Sequence, residues 1–208
     1  MTADKLTRKE RDRLLRENDF LDAAERLFAE SGYDSTSMED IAREAEYATG
    51  TVYRYFSSKE TLYNRILLRK GSALFEAVKQ SLEEEKSPMH QLAAIIHKEI
   101  DFFYDNAEFM RIYMNQVNPS ACGRNPPEEM KELHKDYTAM VRLVVEDGIK
   151  KGVFRKLDAD LLLLAIKGMF DGVVCNAITS DSLASRDDVE AFLMSFLERG
   201  IITSKGRR

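Results

Sequence analysis

Residues 37–56 read SMEDIAREAEYATGTVYRYF and hold two short helical patterns separated by a few residues. In residues 38–45 apolar side chains recur at every third or fourth position, which predicts a helix with one narrow apolar stripe. In residues 49–56 only Val52 and Phe56 are spaced to face inward, so the hydroxyls, tyrosines and arginine of this second helix face outward. Two short helices that pack through a small apolar seam, the second with a polar outer face, are typical of a DNA-binding helix-turn-helix.

Longer helical patterns lie on both sides of this stretch. The preceding helix is predicted to begin near Thr7 and to end at Gly32, and its apolar stripe would cover the seam of the two short helices. The following helix is predicted to begin at Ser57, which has Glu60 three residues further on as in a capping box, and to end at residues 83–85. Because this helix is long enough to leave the first bundle and enter a second, we predict one domain over residues 1–58 and another over residues 59–208.

The remaining sequence carries helical periodicity, with no strand alternation and no internal repeat. Three of the four prolines fall in residues 118–127, which predicts a loop there. We therefore predict an all-α fold with about nine helices.

Composition and charge limit the classes of protein to which the chain can belong. With 44% apolar and 32% charged residues, it has the composition of a soluble, helix-rich globule. The net charge of −5 argues weakly against a nucleic-acid binder, but residues 5–16 carry a local charge of +4 that would suit a patch contact with DNA. The polar start does not resemble a signal peptide, and two distant cysteines suit a reduced, cytoplasmic setting. Neither the cysteines nor the three histidines have metal-ligand spacing, so we expect no metal and no cofactor.

Residues 161–178 form a long apolar run that has to be weighed as a membrane span. Lys167, Asp171 and Asn176 interrupt the run, which falls short of the roughly 20 clean residues that a span requires. A helix that is apolar nearly all round is instead buried on both sides, and small residues at helical spacing allow a second helix to approach closely. With the apolar last helix beside it, this pattern predicts a two-fold dimer and no membrane. The candidate interface residues are Ala165, Gly168, Gly172, Phe192 and Phe196.

A set of motifs at fixed spacing then identifies a family resemblance. They are FLDAAERLF at residues 20–28, GY at 32–33, TSM at 36–38, IA at 41–42, TVYRYF at 51–56 and KE at 59–60. Over about residues 18–66 the chain closely resembles the tetracycline-repressor (TetR) family, whereas residues 70–208 are similar only in helix count and order. The resemblance implies an N-terminal three-helix helix-turn-helix DNA-binding domain followed by a helical ligand-binding and dimerisation domain. It also implies a homodimeric repressor that a small molecule releases from a pseudo-palindromic double-stranded operator.

The resemblance assigns candidate DNA-binding residues by position. Those on or beside the third helix are Thr49, Gly50, Thr51, Tyr53, Arg54 and Tyr55, and those at common phosphate-contact positions are Thr36, Ser37 and Lys59. Hydroxyls and a lysine suit phosphates, whereas Thr49, Arg54 and Tyr53 have the groups to reach base edges. For Tyr53 and Tyr55 the alternative is partial packing against the first helix.

Three positions depart from the family pattern. Glu46 stands where the family usually has glycine, and a non-glycine residue in a left-handed turn costs roughly 1 kcal/mol. Its carboxylate would also lie near the phosphates, so either DNA affinity is modest or the turn is remodelled. Ala48 cannot cap the third helix, so Thr49 is expected to take that role, and Glu39 stands where some members place a basic residue that contacts bases.

The second domain supplies a neighbourhood for the effector. Aromatic and methionine side chains on its central helices would suit a small hydrophobic ligand, although for any one of them plain core packing is the stronger alternative. These candidates are Phe102, Phe103, Phe109, Met110, Tyr113, Met114, Tyr137, Met140, Met169 and Phe170. Polar groups that could orient the ligand are His97, Glu99, Asn115, His134 and Asn176.

Two other classes of protein remain to be weighed. An enzyme is not expected, because the sequence has no glycine-rich phosphate loop, no Ser/His/Asp signature and no zinc motif. The alternative that stays open is a helical dimeric interaction module of the same fold with weak or lost DNA binding.

Overall fold

The computed structural model describes residues 7–112, 127–179 and 184–204, and within these residues it contains nine α-helices and no strand. The prediction of an all-α fold is confirmed. The helices are α1 (Arg8–Ser31), α2 (Met38–Glu44), α3 (Thr49–Tyr53), α4 (Lys59–Glu84), α5 (Pro88–Asp105), α6 (Ala107–Ile112), α7 (Glu128–Lys150), α8 (Ala159–Thr179) and α9 (Arg186–Gly200). An isolated antiparallel bridge joins Phe154 and Ile202 beyond the ends of α7 and α9.

Helix α3 is shorter than the sequence predicted. The expected end was Phe56, but α3 ends at Tyr53 and the chain turns at once. The backbone N–H groups of Tyr55 and Phe56 both donate to the carbonyl oxygen of Val52, at 2.9 Å each. The following cap also differs, because Ser58 and not Ser57 caps α4, accepting a hydrogen bond from the N–H of Thr61 at 3.1 Å. The predicted Ser57–Glu60 capping box is therefore wrong by one residue.

Two hydrophobic clusters form the interior, and α4 belongs to both. Its first turns contribute Leu62, Tyr63 and Ile66 to the cluster beneath the helix-turn-helix, and Val78 contributes to the cluster between α5, α7, α8 and α9. Buried residues of α6 and the end of α8 also reach the first cluster. The two units are thus packed against each other, and the domain boundary at residues 58 and 59 stays a prediction.

Ion pairs fasten α1 to α4 on the outside of this contact. Arg69 reaches Asp22 at 2.7 Å and Glu25 at 2.9 Å, and Lys70 donates to Glu25 at 2.5 Å and to Asn106 of the α5–α6 junction at 2.6 Å. Each exposed pair contributes up to about 1 kcal/mol, so their main effect is to fix the direction in which α4 leaves the first unit.

Candidate nucleic-acid interface and ligand cavity

The turn between α2 and α3 keeps its left-handed residue. Glu46 has a φ of 61°, which among the described residues makes it the one non-glycine residue with positive φ. The turn is held by Tyr47, whose N–H donates to the carbonyl oxygen of Ala42 at 2.9 Å and whose hydroxyl donates to Asp19 at 2.8 Å. The Tyr47 ring packs edge-on against Phe20, with the centroids 4.9 Å apart. The turn is therefore not remodelled, and Glu46 carries the backbone strain.

Helix α3 presents one buried side chain and a polar outer face. Val52 is fully buried, whereas Gly50, Tyr53 and Arg54 are exposed and Thr49 and Thr51 are half-buried. The Arg54 guanidinium donates to the Thr51 hydroxyl at 3.3 Å, which leaves most of its five donors for other partners. This face has the geometry that major-groove contact requires.

The residues at the two ends of α3 differ from what the sequence predicted. Tyr55 is half-buried and packs edge-on against Phe20 at 5.3 Å, which supports the packing alternative for this residue. Ala48 is the N-cap of α3 without a side-chain hydrogen bond, so the expectation that Thr49 caps this helix is wrong.

Thr36, Ser37 and Lys59 hold the connection between α1 and α2. Thr36 is buried and donates to the carbonyl oxygen of Gly32 at 2.8 Å, and Ser37 exchanges capping hydrogen bonds with Asp40. The Lys59 ammonium donates to the carbonyl oxygens of Tyr33 at 2.5 Å and Thr36 at 2.7 Å. The side-chain groups of Thr36 and Lys59 that were expected to hold phosphate are thus engaged inside the protein, and their contact with DNA stays a prediction.

A cavity of ≈ 450 Å³ lies between α4, α5, α7 and α8. Five of the predicted ligand residues line it, namely Phe102, Phe103, Met110, Tyr137 and Phe170. Three others do not line it, and a role in ligand binding stays a prediction for them. Phe109 belongs to the cluster beneath the helix-turn-helix, and Met140 and Met169 pack against the second cluster. Tyr113 and Met114, like Asn115, lie outside the described residues.

The polar groups of the cavity centre on Glu99. The Tyr137 hydroxyl donates to Glu99 Oε1 at 2.6 Å, and burial raises the pKa of the Glu99 carboxyl to about 7. Burial also raises the pKa of Tyr137 and lowers the pKa of His134, which lines the same wall. Of the other polar candidates, His97 pairs instead with Glu190 at 3.1 Å.

Charged side chains of α7 and α8 also line the cavity, and sequence reasoning missed them. Lys167 pairs with Asp171 at 2.9 Å, and Arg142 pairs with Glu146 at 3.2 Å and also with Asp160. The i, i+4 spacing of Lys167 and Asp171 was a readable signal, but nothing in the sequence showed that this face borders a cavity.

Helix α6 connects the cavity with the first unit. The Tyr63 hydroxyl of α4 donates to the carbonyl oxygen of Phe109 at 3.1 Å, and the two rings stack with centroids 4.5 Å apart. Met110, the next residue, is buried and lines the cavity. A side chain in the cavity wall therefore lies one residue from a buried contact with the base of α4, and the sequence did not reveal Tyr63 as a partner.

The predicted dimer residues share an exposed face. Ala165, Gly168 and Gly172 of α8 are exposed, and so are Phe192 and Phe196 of α9. Two exposed leucines extend this face, with relative exposures of 67% for Leu161 and 68% for Leu164. By length and composition Ala159–Ile178 could cross a membrane, but one such helix is weak evidence, and α8 packs against α5, α6, α7 and α9.

Comparison with known proteins agrees with this architecture. Residues 20–66 match the family model of bacterial regulatory proteins of the tetR family, and residues 85–174 match a tetracyclin repressor-like C-terminal domain. The fatty acid metabolism regulator protein of Bacillus subtilis (strain 168) is 25% identical over 179 residues, or 86% of this chain and 90% of that protein.

Two solved structures share the fold. One is a transcriptional regulator from Saccharomonospora viridis in complex with choline, with a TM-score of 0.77 and 22% identity over 90% of this chain and 97% of that one. The other is the regulator FadR from Bacillus subtilis in complex with stearoyl-CoA, with a TM-score of 0.72 and 23% identity over 86% of this chain and 96% of that one. With both of its domains matched, the chain belongs to the TetR family of transcriptional regulators, with a helix-turn-helix DNA-binding domain and a helical ligand-binding domain.

Proposed function

We propose that the protein is a cytoplasmic repressor that binds a pseudo-palindromic operator as a homodimer and leaves it when a small hydrophobic molecule enters the cavity. One observation carries this proposal. Helix α4 begins beside the helix-turn-helix and continues as a wall of the cavity, to which it contributes Leu67, Gly71 and Leu74. A ligand that fills the cavity therefore acts on the helix that positions α3, which we call the reading helix because it is proposed to contact the bases.

The proposed DNA contacts come from the outer face of α3. Arg54 and Thr49 are the candidates for base edges, because a guanidinium recognises guanine and a hydroxyl can pair with any base. Thr51 and Tyr53 would hold phosphates, and at Gly50 the backbone can approach the DNA, since a Cβ placed there would meet nothing within 4 Å. In this proposal Thr36, Ser37 and Lys59 hold the connection between α1 and α2, and Tyr55 packs against α1.

The proposed dimer uses the exposed apolar face of α8 and α9. Added Cβ atoms at Gly168 and Gly172 would meet nothing within 4 Å in one protomer, so the surface there is open to a partner. A second copy seated on the same face would bury it by two-fold symmetry. Two reading helices then face successive major grooves, about 34–36 Å apart.

The contact between α6 and α4 supports the release mechanism. A ligand that displaces Met110 also shifts Phe109 and, through the stacked ring, Tyr63 at the base of α4. A moderate preference of the ligand for the DNA-free state is sufficient. Moving a two-state equilibrium from 1:99 to 99:1 requires a differential affinity of only about 5.5 kcal/mol. The two structural neighbours hold ligands as different as choline and stearoyl-CoA, so the effector chemistry depends on the side chains of this cavity.

The DNA-binding part of the proposal is tested by gel shift with the DNA that flanks the protein's own coding region. We expect a salt-sensitive complex that Arg54→Ala weakens by about 30-fold or more, since one specific base contact contributes about 1–3 kcal/mol in each of the two half-sites. Arg155→Ala is the matched control, because it removes the same charge from the second unit. If the wild-type dimer binds no flanking DNA even at low salt, the interaction-module alternative replaces the repressor.

The coupling part is tested with Tyr63→Phe. This variant keeps the ring stack and removes the hydrogen bond to Phe109, which should weaken the effect of a bound ligand on operator affinity. Tyr104→Phe is the control, because its hydroxyl likewise donates to a backbone carbonyl, that of Ala184 at 2.9 Å, but away from α4. Equal ligand responses in both variants would contradict the proposed route.

A further inference from the structure

We propose that the cavity is built for a cationic amphiphile, a molecule with an apolar body and a positively charged head that lies against the Glu99 carboxylate. This inference rests on the function proposed above and names the chemistry of the effector. One acid, Glu99, lies within an apolar part of the cavity wall.

Glu99 interrupts the apolar stripe with which α5 faces the cavity. Ile95 and Ile96 precede it by one helical turn and Phe102 and Phe103 follow it by one turn, and all four line the cavity. A carboxylate among such neighbours is unfavourable unless it is paired, so its retention there calls for a partner. The Tyr137 hydroxyl meets one oxygen, and a carboxylate has acceptor capacity beyond a single bond.

The described charged residues of the lining carry one net negative charge, and Glu99 is the acid among them with no ion-pair partner at contact distance. Lys167 is paired with Asp171, and Arg142 is paired with Asp160 and with Glu146 outside the lining. These pairs are partly exposed, with side-chain exposures of 38–70%, and Lys167 also acts on Glu99, favouring its charged form. Burial lowers the pKa of His134 and so favours its neutral form. Among these residues a ligand in the interior thus meets the Glu99 carboxylate, whereas each cation already holds a carboxylate of its own.

Aromatic rings complete the site for a cation. Phe103 and Phe170 pack edge-on at 5.7 Å, Phe102 packs edge-on against Phe103 at 5.7 Å, and the Tyr137 ring carries the hydroxyl that holds Glu99. The faces of such rings attract a desolvated ammonium group, and they also accept an alkyl body. A carboxylate or phosphate head placed here would meet Glu99 and would have to displace an existing ion pair to find a cation.

The titration of Glu99 gives this proposal a distinct signature. Burial raises its pKa to about 7, and the titratable groups that face it are Tyr137 and His134 of α7 and Lys167 and Asp171 of α8, while α4 contributes apolar walls. At pH 7 Glu99 is therefore partly protonated. A cation favours the ionised form, so its binding releases protons, whereas an anion would cause proton uptake.

The test is calorimetry on the full chain without DNA, with three ligands that share a ten-carbon chain. These are decyltrimethylammonium, decanol and decanoate, each titrated at pH 7 in two buffers of different ionisation enthalpy. We expect decyltrimethylammonium to bind at least tenfold more tightly than the other two, with net proton release on binding. Tighter binding of decanoate or decanol, or no proton release with the cation, would overturn the proposal.

Glu99→Gln separates charge from shape. Glutamine keeps the acceptor for Tyr137, so the variant should fold, and its melting curve verifies this directly. We expect it to bind decyltrimethylammonium at least tenfold more weakly, to release no proton, and to bind decanol within twofold of wild type. Glu132→Gln, an exposed acid on α7 outside the cavity lining, should bind like wild type. Unchanged cation affinity in Glu99→Gln would refute the role of Glu99.

The same ligands added to the operator complex keep the two proposals distinguishable. If decyltrimethylammonium binds as expected but leaves operator affinity unchanged, the ligand chemistry stands and the release mechanism fails. If decanoate releases the operator and the cation does not, the release mechanism stands and the cationic effector is refuted.

Discussion

Glu46 offers a test in which backbone strain and charge can be separated. Its φ of 61° is unfavourable for a residue with a side chain by about 1–2 kcal/mol, and glycine removes that strain at an entropic cost of about 0.5–1 kcal/mol. Glu46→Gly should therefore stabilise the protein by about 0.5–1 kcal/mol, which for a chain of this size raises Tm by about 1–4 °C. Glu46→Gln keeps the strain and should leave Tm unchanged, provided that the wild type and both variants are measured at the same protomer concentration.

The same two variants should behave alike on DNA. Both remove a carboxylate from the turn that precedes the proposed reading helix, and an exposed charge about 8 Å from a phosphate contributes roughly 0.5 kcal/mol of repulsion per half-site. Over two half-sites this predicts operator affinity about fivefold higher for Glu46→Gly and Glu46→Gln, with less gain at high salt. If glycine fails to raise Tm, the strain argument is wrong. If glutamine fails to raise affinity, Glu46 does not face the phosphates.

Three further predictions concern other parts of the chain. Because the pKa of Glu99 is raised to about 7 in the folded state, its contribution to stability is present below about pH 4.5 and is lost as pH rises through 7. Urea unfolding should show a loss of about 2–3 kcal/mol between pH 5 and pH 8 that Glu99→Gln abolishes, and an equal slope in the variant would contradict this assignment. At Gly172 the protomer has open space, so Gly172→Leu should not disturb the fold but should overpack the proposed interface, which costs about 1–3 kcal/mol. Sedimentation at micromolar concentration should then show dissociation of the dimer. A dimer that stays intact would place the interface elsewhere. The start of α1 carries four exposed basic residues, Arg8, Lys9, Arg11 and Arg13. Neutralising them should flatten the slope of log K for DNA binding against log salt by up to about one per lost phosphate contact. An unchanged slope would exclude their role.

Local signals in the sequence were sufficient to predict the helices and most of the residues at which they begin and end. The capping box of Thr7 and Glu10 and that of Ser37 and Asp40 both form, because they depend on residues three positions apart. At residues 57–58 two adjacent serines offer the same cap, and the sequence pattern alone could not decide between them. The left-handed turn at Glu46 could be located because the family motifs on either side fix its position.

Contacts between distant parts of the chain could not be predicted in this way. Tyr63 and Phe109 are 46 residues apart, and their stack depends on how α6 packs against α4. The same limit applies to the cavity, since helical periodicity separates buried from exposed faces but not cavity wall from close-packed core. Met140 and Met169 are therefore of the residue type expected in the cavity wall, but they pack against the second cluster and do not line the cavity.

Leu164 belongs both to the lining of the cavity and to the exposed apolar face of α8. A partner helix seated on that face would rest on the outside of the wall that a ligand touches from within. Occupation of one cavity would then alter the shape presented to the other protomer, so the two sites of a dimer would not be independent. The dose–response curve of such a regulator would depart from simple hyperbolic saturation, and a single effector molecule per dimer could be enough to change its output.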